Sequence, residues 1–177
     1  MKTNGSGLLE IMCTVVELKE KMKSFYTEAA GKCSDSVGAE TFEMLRDAEQ
    51  KHLDSLNGIY AELSKGPGDL DACRFFDLDV PGRSELIKKL RQKSKKVSQA
   101  CLDDVAAIET GMELENQAIE FFLSRQKEAA EQIERELLSQ LIAEERSHYI
   151  MLSDLRFYYI DTEHWLMEKA KTGLDGA

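Results

Sequence analysis

Proline is nearly missing from this chain. Pro67 and Pro81 are the only two in 177 residues, and both fall in one short stretch. The rest is free of the residue that most reliably interrupts a helix. Net positive charge is also lacking: the formal net charge of -10 argues against a nucleic-acid partner, because phosphate binding wants a basic face. No apolar run approaches the ~20 residues of a membrane span. The opening stretch Met1–Gly7 has no apolar core of signal-peptide length, so a cytoplasmic protein is expected. The four cysteines, Cys13, Cys33, Cys73 and Cys101, form no C-x-x-C pair, which argues against a thiolate zinc or rubredoxin-type iron site. Free thiols are expected, with Cys13 and Cys101 partly buried on helices.

What is present reads as helix. The chain is 42% hydrophobic and 32% charged, enough to bury a core and stay hydrated. A first helix is predicted over 7–30, with Gly31 as its stop and an apolar stripe of Ile11, Val15, Leu18, Met22, Phe25 and Ala29. Ser36 is placed to cap a second helix over 37–64, with Phe42, Leu45, Glu49, His52, Leu56 and Tyr60 inward. Gly66-Pro67-Gly68 and Pro81-Gly82 then punctuate a crossover over 65–83, which Phe75 and Phe76 would pin to the body. A short helix follows over 84–91. Two more long helices are predicted over 98–125 and 128–159, and a last piece over 163–171 carries Trp165. Hairpin, long crossover, hairpin predicts an all-α, ferritin-like four-helix bundle in which the second and third helices run parallel, with a short C-terminal helix. The whole of 1–177 then forms one domain of two hairpins, 7–64 and 98–159.

An internal repeat carries the functional signal. Of three histidines, two sit in the same pattern: Glu49-Gln50-Lys51-His52 and Glu145-Arg146-Ser147-His148, 96 residues apart. Residues three apart share a helix face, so each motif aims a carboxylate and an imidazole at one point. The same shift, without a gap, lays Leu18 on Leu114, Phe25 on Phe121, Tyr26 on Phe122 and Leu45 on Leu141. Two such hairpins bury each other's apolar faces. In two-metal carboxylate bundles two helices each give a Glu-x-x-His pair and the other two each give one Glu. Glu115, on the stripe of Ile108, Ala118 and Phe122, fills the third-helix place. The alternative is a pair of core histidines satisfied by neighbouring glutamates. Inward-facing glutamates are costly without a cation or donor, however, which favours a metal. Imidazole and carboxylate ligands suit iron or manganese, with zinc a third candidate. His164 lies outside the repeat, has no glutamate three places before it, and is expected not to be a ligand.

These residues give the chain a family likeness. Ser24-Phe25-Tyr26-Thr27-Glu28-Ala29-Ala30, Asp47-Ala48-Glu49-Gln50-Lys51-His52, Leu114-Glu115 with Phe121-Phe122, and Ala143-Glu144-Glu145-Arg146-Ser147-His148 resemble the rubrerythrin family of the ferritin-like superfamily. The nearest likeness is to members without a rubredoxin domain. The ending, His164-Trp165 with Leu174-Asp175-Gly176-Ala177, also resembles a tail seen in such proteins. The resemblance implies a di-iron site that reduces peroxide or oxidises ferrous iron with oxygen. Glu49 and Glu145 would bridge, His52 would serve the first metal, and His148 and Glu115 the second. Without a C-x-x-C domain the electrons would come from a separate donor protein.

One position departs from that pattern. The 96-residue shift lays Glu115 on Lys19, where the fourth glutamate is due. Neighbouring acids do not replace it on a regular helix: Glu20 lies about 160° and Glu17 about 140° around the wheel from Met22, but Lys19 only about 60°. A π-bulge would be needed to bring Glu20 inward. Four glutamates balance two divalent ions, whereas three glutamates and Lys19 sum to -2 and balance one. Lys19 is therefore expected near the first metal's place, bridging to Glu49 and Glu145, unless it snorkels outward. The leading expectation is a non-haem iron oxidoreductase acting on peroxide or oxygen. The competing one is a degenerate, non-catalytic bundle with one metal or none. Aromatics in the crossover and around Trp165 suggest a homodimer surface or, equally, caps on the core. Nothing in the sequence suggests a storage shell.

Overall fold

The structure, a computed structural model, describes residues 5–63, 88, 90 and 102–171. Four long helices, α1 (Gly5–Lys32), α2 (Ser36–Leu63), α3 (Leu102–Glu128) and α4 (Gln132–Ile160), are followed by the short α5 (Thr162–Lys171). No strand occurs among the described residues. The all-α four-helix bundle expected from the periodicity is what forms. The crossover with Phe75 and Phe76, Cys73, Cys101 and the tail from 172 lie outside the described residues, although Lys88 and Leu90 are helical and Leu90 is buried.

Three-residue connections make α1–α2 and α3–α4 antiparallel hairpins. Tyr26 meets Glu115 while Ser34, past the end of α1, meets Asp104, so α1 and α3 also run antiparallel. By the same logic His52 opposite Glu144 and Gly38 opposite Tyr159 set α2 against α4. It follows that α2 and α3 are parallel, the relation that a long crossover permits. Gly38 is what lets α2 and α4 close up at that end: a Cβ there would stand 2.5 Å from the Tyr159 hydroxyl and 2.6 Å from Cys33 Sγ.

The repeat is visible in three dimensions. Under the 96-residue shift the hairpin ends coincide, Lys32 falling on Glu128 and Ser36 on Gln132. Met12, Val15, Met22, Phe42, Leu45 and Leu56 are buried, and so are their mates Ile108, Gly111, Ala118, Leu138, Leu141 and Leu152. Phe25 packs edge-on to Tyr26 at 5.3 Å and 63°, and Phe121 does so to Phe122 at 5.6 Å and 64°. Each fully buried large apolar side chain here removes enough surface from water to contribute about 1.5–3 kcal/mol.

Several local expectations are corrected. Gly31 does not stop α1, which continues to Lys32 and is closed by the Cys33 amide donating to the Ala29 carbonyl at 2.9 Å. Asp35, not Ser36, caps α2, its carboxylate accepting the Val37 N–H at 3.0 Å. Helix α3 runs past Arg125 to Glu128, and α4 begins at Gln132 because Glu131 is extended (φ -99, ψ 146). Cys13 is exposed, since the inward face of α1 passes through Met12 and Val15. Trp165 is fully buried edge-on to Tyr158 at 5.3 Å, with the Lys169–Asp154 ion pair (2.8 Å) beside it. It therefore caps this chain's own core. No helix among the described residues is long and apolar enough to cross a membrane.

Candidate metal centre

The inward line of each long helix places its polar residues at one level of the bundle. On α1 the most buried line is Met12, Val15, Lys19, Met22 and Tyr26, so the stripe is centred on lysine. Helix α1 is unbroken there and no π-bulge forms, leaving Glu17 and Glu20 exposed. Helix α2 contributes Glu49 and His52, α3 Glu115, and α4 Glu145 and His148, all buried. Glu49, Glu115, Glu145 and His148 offer ligand atoms that lie within 4.8 Å of one another. His148 Nδ1 stands 3.4 Å from Glu49, 3.5 Å from Glu115 and 3.9 Å from Glu145.

His52 is close but outside that group. Its ring stacks on His148 with centroids 5.8 Å apart, and its Nδ1 lies 3.6 Å from Glu49 Oε2. Its Nε2 lies 2.8 Å from Oε2 of Glu144, within ion-pair distance. Glu144 is a buried residue that the sequence reading did not single out. The repeat offered no signal for it, because its mate is Ala48. Lys19 stands against two of the clustered carboxylates. Its Nζ is 2.8 Å from Glu49 Oε2 and also hydrogen-bonds Glu145, with all three side chains fully buried. The lysine does not snorkel outward; it occupies the first half of the site.

The charges sort themselves accordingly. Burial opposes the Lys19 charge, but Glu145, Glu49 and Glu115 outweigh it and hold the ammonium above its ordinary value. Burial likewise disfavours ionised Glu49, yet Lys19 and the two histidines hold that carboxyl well below the usual range. Glu145 goes the other way: burial pushes it up, Lys19 only partly offsets this, and Glu115 and Glu49 add to the rise. Two carboxylates share one ammonium, and the one crowded by a further carboxylate keeps its proton longer. His148 resists burial because Glu115 and Glu49 raise it well above an ordinary imidazole. Tyr26 donates its hydroxyl to Glu115, while burial, then that carboxylate, raise the phenol.

Five buried atoms of the four clustered residues have no hydrogen-bond partner: both carboxylate oxygens of Glu49, Oε2 of Glu115, Oε2 of Glu145 and Nδ1 of His148, although Glu49 Oε2 lies 2.8 Å from the Lys19 ammonium. Unpartnered buried carboxylate oxygens are expensive. Three carboxylates and an imidazole are the hard and borderline donors that a divalent ion takes. The α3–α4 half, helped by Glu49, thus fits a metal ion, and these buried residues can hold one. The α1–α2 half does not fit a second ion, because an ammonium stands among its ligands. No protein-family model, curated protein or solved structure matches this chain.

His164, on α5, is exposed, with Nδ1 2.5 Å from Asp161, and takes no part in the cluster. A cleft of about 250 Å³ between α1 and α3, lined by Phe25, Ala29, Cys33 and Asp104, contains none of the cluster residues.

Proposed function

We propose that this chain is a non-haem metal protein of rubrerythrin type, holding iron among Glu49, Glu115, Glu145 and His148 and reducing peroxide or oxygen. The observation that carries this reading is the convergence of those four buried ligands with unpartnered atoms toward one point. The matched E-x-x-H motifs on α2 and α4 support the family likeness, as does the parallel course of α2 and α3. Iron would supply one-electron redox chemistry and Lewis acidity in this site; manganese and zinc are the competing ions. Reducing hydrogen peroxide to two waters takes two electrons and two protons. These 177 residues contain no C-x-x-C thiolates, so the electrons would come from a donor outside them. Tyr26 holds Glu115 in place by its hydrogen bond, and Glu144 lies within ion-pair distance of His52.

A second reading is favoured by one observation. Lys19 lies between the two glutamates that would bridge a metal pair, so a bundle that binds metal without turning over peroxide is the competing reading. Elemental analysis of full-length protein purified without chelator, followed by peroxide consumption with a chemical reductant, separates the two. Bound iron with turnover supports the oxidoreductase. Bound metal without turnover supports the second reading, and no affinity for any divalent ion overturns both.

A further inference from the structure

We infer that Lys19 is a resident cation standing in place of a second metal, and that it fixes this centre at one divalent ion per chain. The inference rests on the metal-binding reading above and concerns stoichiometry, which that reading leaves open. Around Lys19 the first half-site keeps the form of a ligand set. Glu49 Oε2 lies 2.8 Å from the ammonium, Glu145 hydrogen-bonds it, and His52 Nδ1 lies 3.6 Å from the same Glu49 oxygen. Glu144 Oε2 lies 2.8 Å from the far nitrogen of His52, the side from which a carboxylate leaves a histidine's other nitrogen facing a metal. The ring is therefore poised, and its stacking on His148 places both imidazoles at one level. Only the occupant differs from an ion: an ammonium tethered to α1, with no open coordination position and no redox chemistry. The second half-site has no such occupant. There Glu115 stands at the repeat-related place of Lys19, and its Oε2 is unpartnered.

The test is metal stoichiometry in the full-length chain, using Mn²⁺ alone as the probe after chelator treatment and dialysis. The parent should bind one Mn²⁺ and give the six-line paramagnetic resonance spectrum of an isolated ion. Lys19→Glu, expressed and refolded with Mn²⁺, should bind two and show the broadened signal of a coupled pair. His52→Ala should leave the parent at one ion but return the Lys19→Glu protein from two to one. If Lys19→Glu does not fold, Lys19→Gln decides the matter: it removes the charge and should admit a second ion at least tenfold more weakly than the first. Two ions in the parent, or one ion in every folded Lys19 variant, overturns the inference while the metal-binding reading stands. No ion in the parent overturns the inference; no ion in any variant overturns the metal-binding reading as well.

Discussion

Replacing Lys19 with Met in metal-free protein isolates what the ammonium does for the fold. Methionine keeps most of the side-chain length, so little cavity opens and the loss is of charge. Lys19 is fully buried and pairs with Glu49 at 2.8 Å and with Glu145. Removing one member of a buried ion pair costs about 3–5 kcal/mol, because the other charge is left uncompensated. For a chain of this size 1 kcal/mol moves Tm by roughly 2–4 °C, so Tm at pH 7 should fall by roughly 6–20 °C. The penalty should depend on pH. In the parent, Glu49 is held well below the usual carboxylate range, so its stabilisation is present at neutral pH and lost only as pH falls through that low value. In the variant the cation is gone, Glu49 titrates higher, and protonation relieves the repulsion on the way to pH 5. The gap between parent and variant should therefore narrow from pH 7 to pH 5. Thermal unfolding followed by circular dichroism in chelator at both pH values measures it. A gap below about 1 kcal/mol at pH 7, or one that widens in acid, would refute the argument that Lys19 neutralises the buried carboxylates.

Binding of Mn²⁺ at pH 7 should release about one to two protons, since a ligating imidazole must be neutral and both His148 and Glu145 are raised above their ordinary values. Calorimetry in buffers of different ionisation enthalpy reads this number, and affinity should rise from pH 6 to pH 8; a pH-independent affinity would contradict it. His148→Ala should abolish Mn²⁺ binding in the parent, whereas His164→Ala should leave it unchanged; equal losses by elemental analysis would show that the centre is misplaced. Tyr26→Phe should lower metal-free stability by about 1–3 kcal/mol in denaturant titration, since it strips a buried carboxylate of its donor. Its repeat mate is already Phe122, so the shape is tolerated, and bound Mn²⁺ should reduce the loss.

Much of this arrangement was readable in the sequence, for reasons that differ by residue. The inward turn of Lys19 followed from helical geometry alone, because 3.6-residue periodicity puts it beside Met22 and Tyr26 whatever its polarity. Glu115 and the two E-x-x-H pairs were readable because the repeat supplies a second copy of each place. Glu144 was not, since its burial depends on how α2 lies against α4, and its repeat mate is an alanine that gives no hint. The Asp35 cap was missed because two capping residues, Asp35 and Ser36, stand side by side, and backbone geometry rather than composition chooses between them. The exposure of Cys13 follows its position on the helix, beside the inward line of Met12 and Val15, and not cysteine's usual preference for the interior.

The coincidence of hairpin ends under the 96-residue shift has a consequence for what one chain can encode. Two identical hairpins meeting across a two-fold axis would have to carry the same residue at each related place. A lysine at position 19 would then appear twice, and two ammoniums facing two copies of Glu49 would leave no net charge to attract an ion. Joining the halves in one polypeptide frees each to specialise. One can supply a fixed positive charge while the other keeps a full set of acceptors, so a symmetric scaffold acquires a polarity that no assembly of equal halves can have.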